Sequence, residues 1–515
     1  MNTVAEALRQ KEAYPHPVDP EIKVVETHIS WIFLTGSYAY KLKKPVDLGF
    51  LDFSTLDLRR HCCLEELRLN RRLCPEIYID VLPVAAYGSS FRVGAEGPVV
   101  DYVVKMVQFD RSFELDRMLR AGQLTVHELE EAAAIIAAFH GSTPRADPSS
   151  GFGNPEVLLQ PMLENLELTG QIARSTEEMA DIETVRQWTL SEERQISGVL
   201  RERKADGMVR ECHGDMHTGN MVIWKGNIMI FDCIEFNPRL SIIDVMSDAA
   251  FLFMDLQHSG RAGLAWHFLN AYLSKSGDYA GLRVLRFYCA YRAMVRAKVT
   301  SIRLTQESDE EQKMATLEEH RSYLKLALDY TRHRSPMLLI THGVSGSGKS
   351  MLSARIADLG GFVHIRSDIE RKRLFGIESQ ERSSRKGVDI YTPEATQKTY
   401  ETMLSAVSAS LTGGYSVIAD ATFLKKSQRA FFIRMAAGMN CPCRILCFHA
   451  PPEVLRARVR ARHKEGLDAS EADLGVLAAQ MRSDEPPDGD EKALCIEIDT
   501  QGQVNIEALI GTITA

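Results

Sequence analysis

The chain has 515 residues, 45% of them hydrophobic and 25% charged, which excludes a disordered or collagen-like polymer and is too long for a single hydrophobic core. Acidic residues outnumber basic ones by 69 to 61, and a net charge of −8 argues against bulk, non-specific nucleic-acid binding. No apolar run approaches the ~20 residues of a membrane helix, the N-terminus lacks a signal-peptide core, and ten cysteines lack framework spacing, so a reducing cytoplasm is the expected compartment.

In chain order, residues of about 20–108 carry mostly strand signals. Trp31 to Lys44 predicts two strands around a Gly-Ser turn, and a polar helix follows from about Leu56 to Leu73. Three further strands are expected in IYIDVLPV, SSFRV and VVDYVVKMVQF. From about 109 to 330 the apolar spacing is helical, as in Glu128 to His140, Leu282 to Leu304 and Glu310 to Thr331. One predicted hairpin interrupts these helices, NMVIW and IMIFD around Lys225-Gly226-Asn227. A boundary is expected at HRSP. From Met337 onward, short apolar strands (MLLITHGV, FVHIRSD, YSVIADAT, CRILCFHA) alternate with helical stretches, the signature of a parallel α/β sheet.

The first chemical signal is Cys212-His213-Gly214-Asp215-Met216-His217-Thr218-Gly219-Asn220, followed by Asp232 at the end of the hairpin. An Asp, an Asn five residues on and a second Asp after a hairpin form a phosphotransfer arrangement. Asp215 accepts or orients the proton of an acceptor hydroxyl, and Asn220 and Asp232 offer hard oxygen ligands to Mg²⁺ on ATP phosphates. His213 is expected to brace the loop, and Asp244 and Asp248 to anchor it. The HGDMHTGN string resembles the aminoglycoside phosphotransferase and choline-kinase-like branch of the protein-kinase-like fold. That resemblance implies a bilobal domain over residues 1–335, with a β lobe at about 20–108 and a helical lobe at about 109–330. It places Lys41 as the ATP-phosphate lysine, Glu66 as its helix partner with Lys43 and Glu65 as rivals, and Lys105 to Asp110 as the hinge. No G-x-G-x-x-G precedes Lys41, so the loop near Thr27 to Ser30 is expected to cover the phosphates.

The second signal is Gly343-Val344-Ser345-Gly346-Ser347-Gly348-Lys349-Ser350, which fits G-x-x-x-x-G-K-[ST] between a predicted strand and helix. Such glycines let successive N–H groups face a phosphate, and the helix N-terminus adds a favourable dipole. Lys349 is expected to reach the β- and γ-phosphates and Ser350 to hold Mg²⁺. Asp420 ends YSVIAD, where a metal carboxylate belongs. It is followed by Ala421 rather than Glu, which disfavours a mechanical ATPase. Asp368, after the second strand, is placed to take a proton from an acceptor hydroxyl. Arg456, Arg458, Arg460 and Arg462 form a basic helix, with Arg458 and Arg462 expected at the ATP phosphates. This segment resembles P-loop kinases of small molecules and nucleic-acid ends: gluconate-kinase-like, zeta-toxin-like and polynucleotide-kinase-like. The resemblance implies Asp368 as base and Arg371 as an acceptor-site contact.

Cys441-Pro-Cys443 with Cys447 invites a zinc reading, but no second cysteine pair follows and the stretch sits at the start of a strand, so these thiols are expected to be buried. From Pro336 to the end, 22 basic and 22 acidic residues cancel, with a basic excess between Arg355 and Lys464 that suits an anionic substrate. The chain order resembles the bacterial fusion of an aminoglycoside phosphotransferase-like domain with a P-loop ATP-binding domain at 336–515. The expectation is two Mg²⁺-ATP sites, each phosphorylating a hydroxyl of a small molecule or nucleic-acid end, with no membrane partner. The rivals are a chain in which only the P-loop domain transfers phosphate, and a nucleotide-gated regulatory protein.

Overall fold

The computed structural model describes residues 3–49, 51–88, 90–173, 175–378, 381, 390–465 and 470–514. The chain forms two compact units. One comprises Met1–Glu131, Ala138–Leu159 and Leu200–Asp255, and the other Ala132–Ala137, Gln160–Val199 and Leu256–Ala515.

The first unit carries an antiparallel six-stranded sheet. Its strands are β1 (Lys23–Glu26), β2 (Ser30–Leu34), β3 (Tyr38–Lys43), β4 (Tyr78–Tyr87), β5 (Ser90–Val93) and β6 (Val99–Val107), in the order β1-β2-β3-β6-β4-β5. Side-chain alternation splits β6 between two cores. Val103 packs with Phe33, Tyr40, Leu42 and Val84 on one face, and Val104 packs with Cys63, Leu67 and Tyr78 on the other. The helix Leu56–Asn70, capped by the Thr55 hydroxyl accepting from the Leu58 amide, supplies Cys63 and Leu67 to that second face. The sheet thereby fixes Lys41 and Lys43, two residues apart on β3, against this helix.

Beyond the sheet, β7 (Val209–Glu211) pairs with β10 (Ile242–Asp244), and β8 (Met221–Trp224) with β9 (Asn227–Ile230). Lys225 and Gly226 join the β8–β9 hairpin with φ of 51° and 84°, the double left-handed turn that matches strand twist.

The second unit contains an antiparallel helix pair, Leu282–Gln306 and Glu310–Thr331, and a parallel sheet. Its strands are β11 (Leu338–His342), β12 (Val363–Arg366), β13 (Val417–Asp420), β14 (Cys443–His449) and β15 (Cys495–Asp499), in the order β12-β13-β11-β14-β15. Leu338, Leu339 and Ile340 of the central strand are wholly buried, as expected where both sheet faces are covered. The fifth strand, CIEID, went unread in the sequence because it is short, and its charged residues obscure the apolar pattern. The first unit is thus built on an antiparallel sheet and its helix, and the second on a parallel sheet with the glycine loop, together with helices from 160–199 and 256–331. Among the described residues, no helix is long and apolar enough to cross a membrane.

Candidate functional site

The first site is a chain of charges assembled from distant segments. Lys41 Nζ lies 2.8 Å from Glu66 Oε1 and 2.5 Å from Asp232 Oδ1, and Lys43 Nζ donates to Glu66 Oε2 at 2.7 Å and to Glu235. Burial alone would push both lysines down, but Asp232 and Glu66 hold Lys41 well above its ordinary range, and Glu235 and Glu66 do the same for Lys43. Burial likewise opposes ionisation of Glu66, which is wholly inaccessible, yet the two ammonium groups hold it at about 2. Burial dominates at Glu235 and raises its pKa despite Lys43. Glu65 turns away to pair with Arg68. Sequence reasoning missed Glu235; its one signal is a second acid three residues after Asp232 in the apolar run FDCIEF.

The loop after β7 brings the remaining residues together. Asp248 accepts from the amides of His213 (2.7 Å) and Gly214 (2.9 Å), so a single carboxylate from the following helix pins the turn before Asp215. His213 Nδ1 accepts from the Asp215 amide at 3.2 Å while Nε2 faces the Phe231 carbonyl at 2.9 Å. Burial pushes the ring's pKa down, which suits a neutral brace. Asn220 Nδ2 donates to the Asp215 carboxylate at 3.0 Å and to its carbonyl at 2.9 Å, so residues five apart share one locus. Asp232 has φ 65°, a left-handed conformation Asp tolerates better than bulky residues. It is held there by the Phe231 amide on the Asn220 carbonyl and the Cys233 amide on Asn70 Oδ1. The side chains of Asp215 and Asp232 remain 33% and 44% exposed, so both are reachable by substrate. Thr27 and Ser30 close the tight β1–β2 turn, and Lys105 to Val107, the first half of the predicted hinge, still belong to β6. Asp244 is consumed by a buried bidentate pair with Arg203.

The second site is built largely from backbone. Between β11 and the helix Lys349–Gly360, Gly343 and Gly346 take φ of 151° and 83°. A Cβ at these positions would sit 2.6 Å from the Phe448 carbonyl and 2.8 Å from the Leu455 carbonyl, so side chains are excluded. Gly348 caps the helix in a left-handed conformation, and the Ser345 amide donates to Gln480. Lys349 is partly buried, and desolvation lowers its pKa, with Asp420 and Asp368 partly offsetting this. Ser347 Oγ is buried without a hydrogen-bond partner, and Ser350 lies partly buried in the first helical turn.

Asp420 ends β13 directly opposite Arg366 on β12. Its Oδ2 meets His364 Nε2 at 3.1 Å, and its Oδ1 is buried without a partner. Burial opposes the charge, but the His364 contact and Lys349 hold this carboxyl at about 2. His364 was not anticipated, since nothing in the sequence announces a parallel-strand neighbour. Asp368 stands in the first turn of the helix Ser367–Leu374, whose N-cap is Arg366 with no side-chain cap. Its charge reaches Lys349 and Tyr391.

The neighbouring arginines are more structural than the sequence suggests. Arg371 is buried, donating to the Ile390 carbonyl and Thr396 beneath Tyr391. Arg458 bonds Thr500 and the Gly346 carbonyl of the phosphate loop, and Arg462 bonds the Ala472 carbonyl. Behind the Asp368 helix, Glu370 accepts from Tyr279 at 3.0 Å and pairs with Arg373, which also caps carbonyls of Ser274 and Lys275.

Residues 115–288 match a family model described as phosphotransferase enzyme family, and residues 338–487 one described as AAA domain. An uncharacterized protein of Mycobacterium tuberculosis (strain H37Rv) is 30% identical over 484 residues, spanning 91% of this chain and 92% of that protein. An uncharacterized protein of Mycobacterium bovis matches to the same extent. Among solved structures, a choline/ethanolamine kinase family protein from Mesorhizobium loti is 12% identical, covering 64% of this chain and 99% of its own, with a TM-score of 0.38. A gluconokinase from Sinorhizobium meliloti is 21% identical, covering 35% and 90%, with a TM-score of 0.25.

Proposed function

The chain belongs to the family of these mycobacterial relatives, a phosphotransferase-type domain joined to a P-loop kinase-like domain, and on that premise we propose that it is an ATP-dependent phosphotransferase with two separate nucleotide sites. The observation that carries this reading is that each site sets a lysine against a carboxylate suited to metal-bound phosphates. These are Lys41, paired with Asp232 in the first unit, and Lys349, which in the second donates to the Val344 carbonyl at 3.4 Å within electrostatic reach of Asp420.

The donors fit Mg²⁺. Asn220, whose amide nitrogen binds Asp215, and the half-exposed Asp232 carry the amide and carboxyl oxygens for it, and the partnerless buried Oδ1 of Asp420 is an acceptor awaiting a cation or its water. When bound, Mg²⁺ neutralises charge on the transferring phosphate. The chain's own residues do the rest. In the first site Lys41 contacts the nucleotide phosphates, and Asp215, oriented by Asn220, takes the acceptor hydroxyl's proton. In the second, the glycine loop cradles the phosphates and Lys349 reaches the transferring group. Ser350 and Asp420 hold the metal, while Asp368 accepts the proton. Arg458 acts by holding the loop carbonyl at Gly346. The acceptors are hydroxyls of small molecules or nucleic-acid ends.

A screen of metabolites and oligonucleotides with [γ-³²P]ATP tests this reading. Asp215→Asn and Asp368→Asn are each expected to stop labelling of a different acceptor by ~10²–10⁴-fold while leaving ATP affinity nearly unchanged. Full labelling in both variants contradicts the assignment.

A further inference from the structure

Outside both nucleotide sites, the outer two strands of the parallel sheet each present a cysteine followed two residues later by another metal-ligating side chain: Cys447-Phe448-His449 on β14 and Cys495-Ile496-Glu497 on β15. Strand alternation puts all four on one sheet face, and the parallel register sets Cys447 opposite Glu497 and Ile445 opposite Cys495. The Cys447 and Cys495 sulfurs and a Glu497 carboxylate oxygen lie within 4.8 Å of one another. His449 Nε2 is 3.9 Å from Glu497 Oε2.

We propose that Cys447, Cys495 and Glu497 form a binding site for a zinc-type divalent cation, with His449, which lies beside Glu497 but outside the three-donor cluster, turning in as the fourth ligand. Zinc–sulfur bonds of about 2.3 Å and zinc–oxygen or –nitrogen bonds of about 2.0–2.2 Å put tetrahedral donors about 3.3–3.8 Å apart, so three donors within 4.8 Å of one another have only a short way to close. Two thiolates select a borderline-soft ion over the hard Mg²⁺ of the nucleotide sites. Cys447 is buried and fixed, while the Glu497 and His449 side chains are 69% and 55% exposed, giving the ion an entry path. The thiols interact only weakly now, with each other, with the Ile445 carbonyl at 3.9 Å and with the Glu491 carbonyl at 3.3 Å. Binding replaces both S–H bonds with metal–sulfur bonds and releases two protons, with no redox change. The nearby Arg429 charge is committed to a buried bidentate pair with Glu491.

A second cluster, His140, Cys212 and Asp248, offers no such site, because both Asp248 oxygens already hold the amides before Asp215. The β14–β15 site has a route to the phosphate loop. The His449 carbonyl accepts from the amide and hydroxyl of Thr500, and Thr500 is bonded by Arg458, which also holds the Gly346 carbonyl. A bound cation would staple these two strand ends.

The test is titration of the reduced full-length protein with Co²⁺ as a spectroscopic probe, followed by Zn²⁺ displacement. One equivalent of tetrahedral cobalt with a thiolate charge-transfer band is expected, retained in Cys441→Ser and lost in Cys447→Ser and Cys495→Ser. Glu497→Gln and His449→Asn should each weaken binding about tenfold. Circular dichroism of each serine variant separates ligand loss from unfolding. If a variant unfolds, the Glu497→Gln and His449→Asn affinities decide. A wild type showing only octahedral cobalt, a band that survives both serine changes, or affinities unmoved by the Glu497 and His449 changes would overturn the site.

Discussion

At the first proposed nucleotide site the charges ride on side chains from separate stretches of sequence: Lys41 and Lys43 on β3, Glu66 on the next helix, and Asp232 and Glu235 beyond the β8–β9 hairpin. At the second, the candidate residues are eight consecutive ones, Gly343 to Ser350, shaped by left-handed glycines, with Asp420 arriving from a neighbouring strand. The difference teaches where each site is vulnerable. The first depends on a buried ion network that only the finished fold can assemble. The second depends on local backbone geometry, where glycine has no substitute.

Deleting a charge should therefore hurt the first site most. Glu66→Ala leaves two buried ammonium groups short of a counter-ion, and breaking a buried pair costs roughly 3–5 kcal/mol. Chemical denaturation should register that loss, and a midpoint unchanged from wild type would break the contrast. Geometry should matter more at the second site. Gly346→Ala forces a Cβ to 2.8 Å from the Leu455 carbonyl at a φ of 83°, a strain of about 1–3 kcal/mol, and ATP affinity at the loop should fall with it. Equilibrium binding to the Gly346→Ala protein measures this directly.

The smallest effect is a pH dependence. Asp420 titrates at about 2 in the fold against an ordinary 3.8. The unfolded chain thus takes up its proton first on acidification. The stabilisation is complete above about 4 and disappears as pH falls through about 2. His364→Asn removes the partner that keeps the pKa low, so the stability gap between wild type and variant should narrow over that interval. A gap constant with pH would show that the His364–Asp420 contact contributes nothing through charge.

The same contrast explains what the sequence disclosed. The phosphate loop was fully legible because its chemistry is local: eight residues, a strand before and a helix after. Asp215, Asn220 and Asp232 were legible because one loop and one hairpin join them. The lysine network was only half legible. A strand presents Lys41 and Lys43 to the same face, and no single sequence fixes which one meets Glu66; in the fold both do. Glu235 and His364 act through neighbours set by tertiary packing, and Arg458 and Arg371 brace backbone carbonyls that no spacing rule reveals.

Calorimetric titration of the full-length chain with Mg²⁺ and a non-hydrolysable ATP analogue tests the central claim most directly. Two nucleotide sites are predicted in the wild type, with Lys349→Ala abolishing one and Asp232→Asn the other. A single site in the wild type, or one substitution eliminating both, would contradict two independent nucleotide sites.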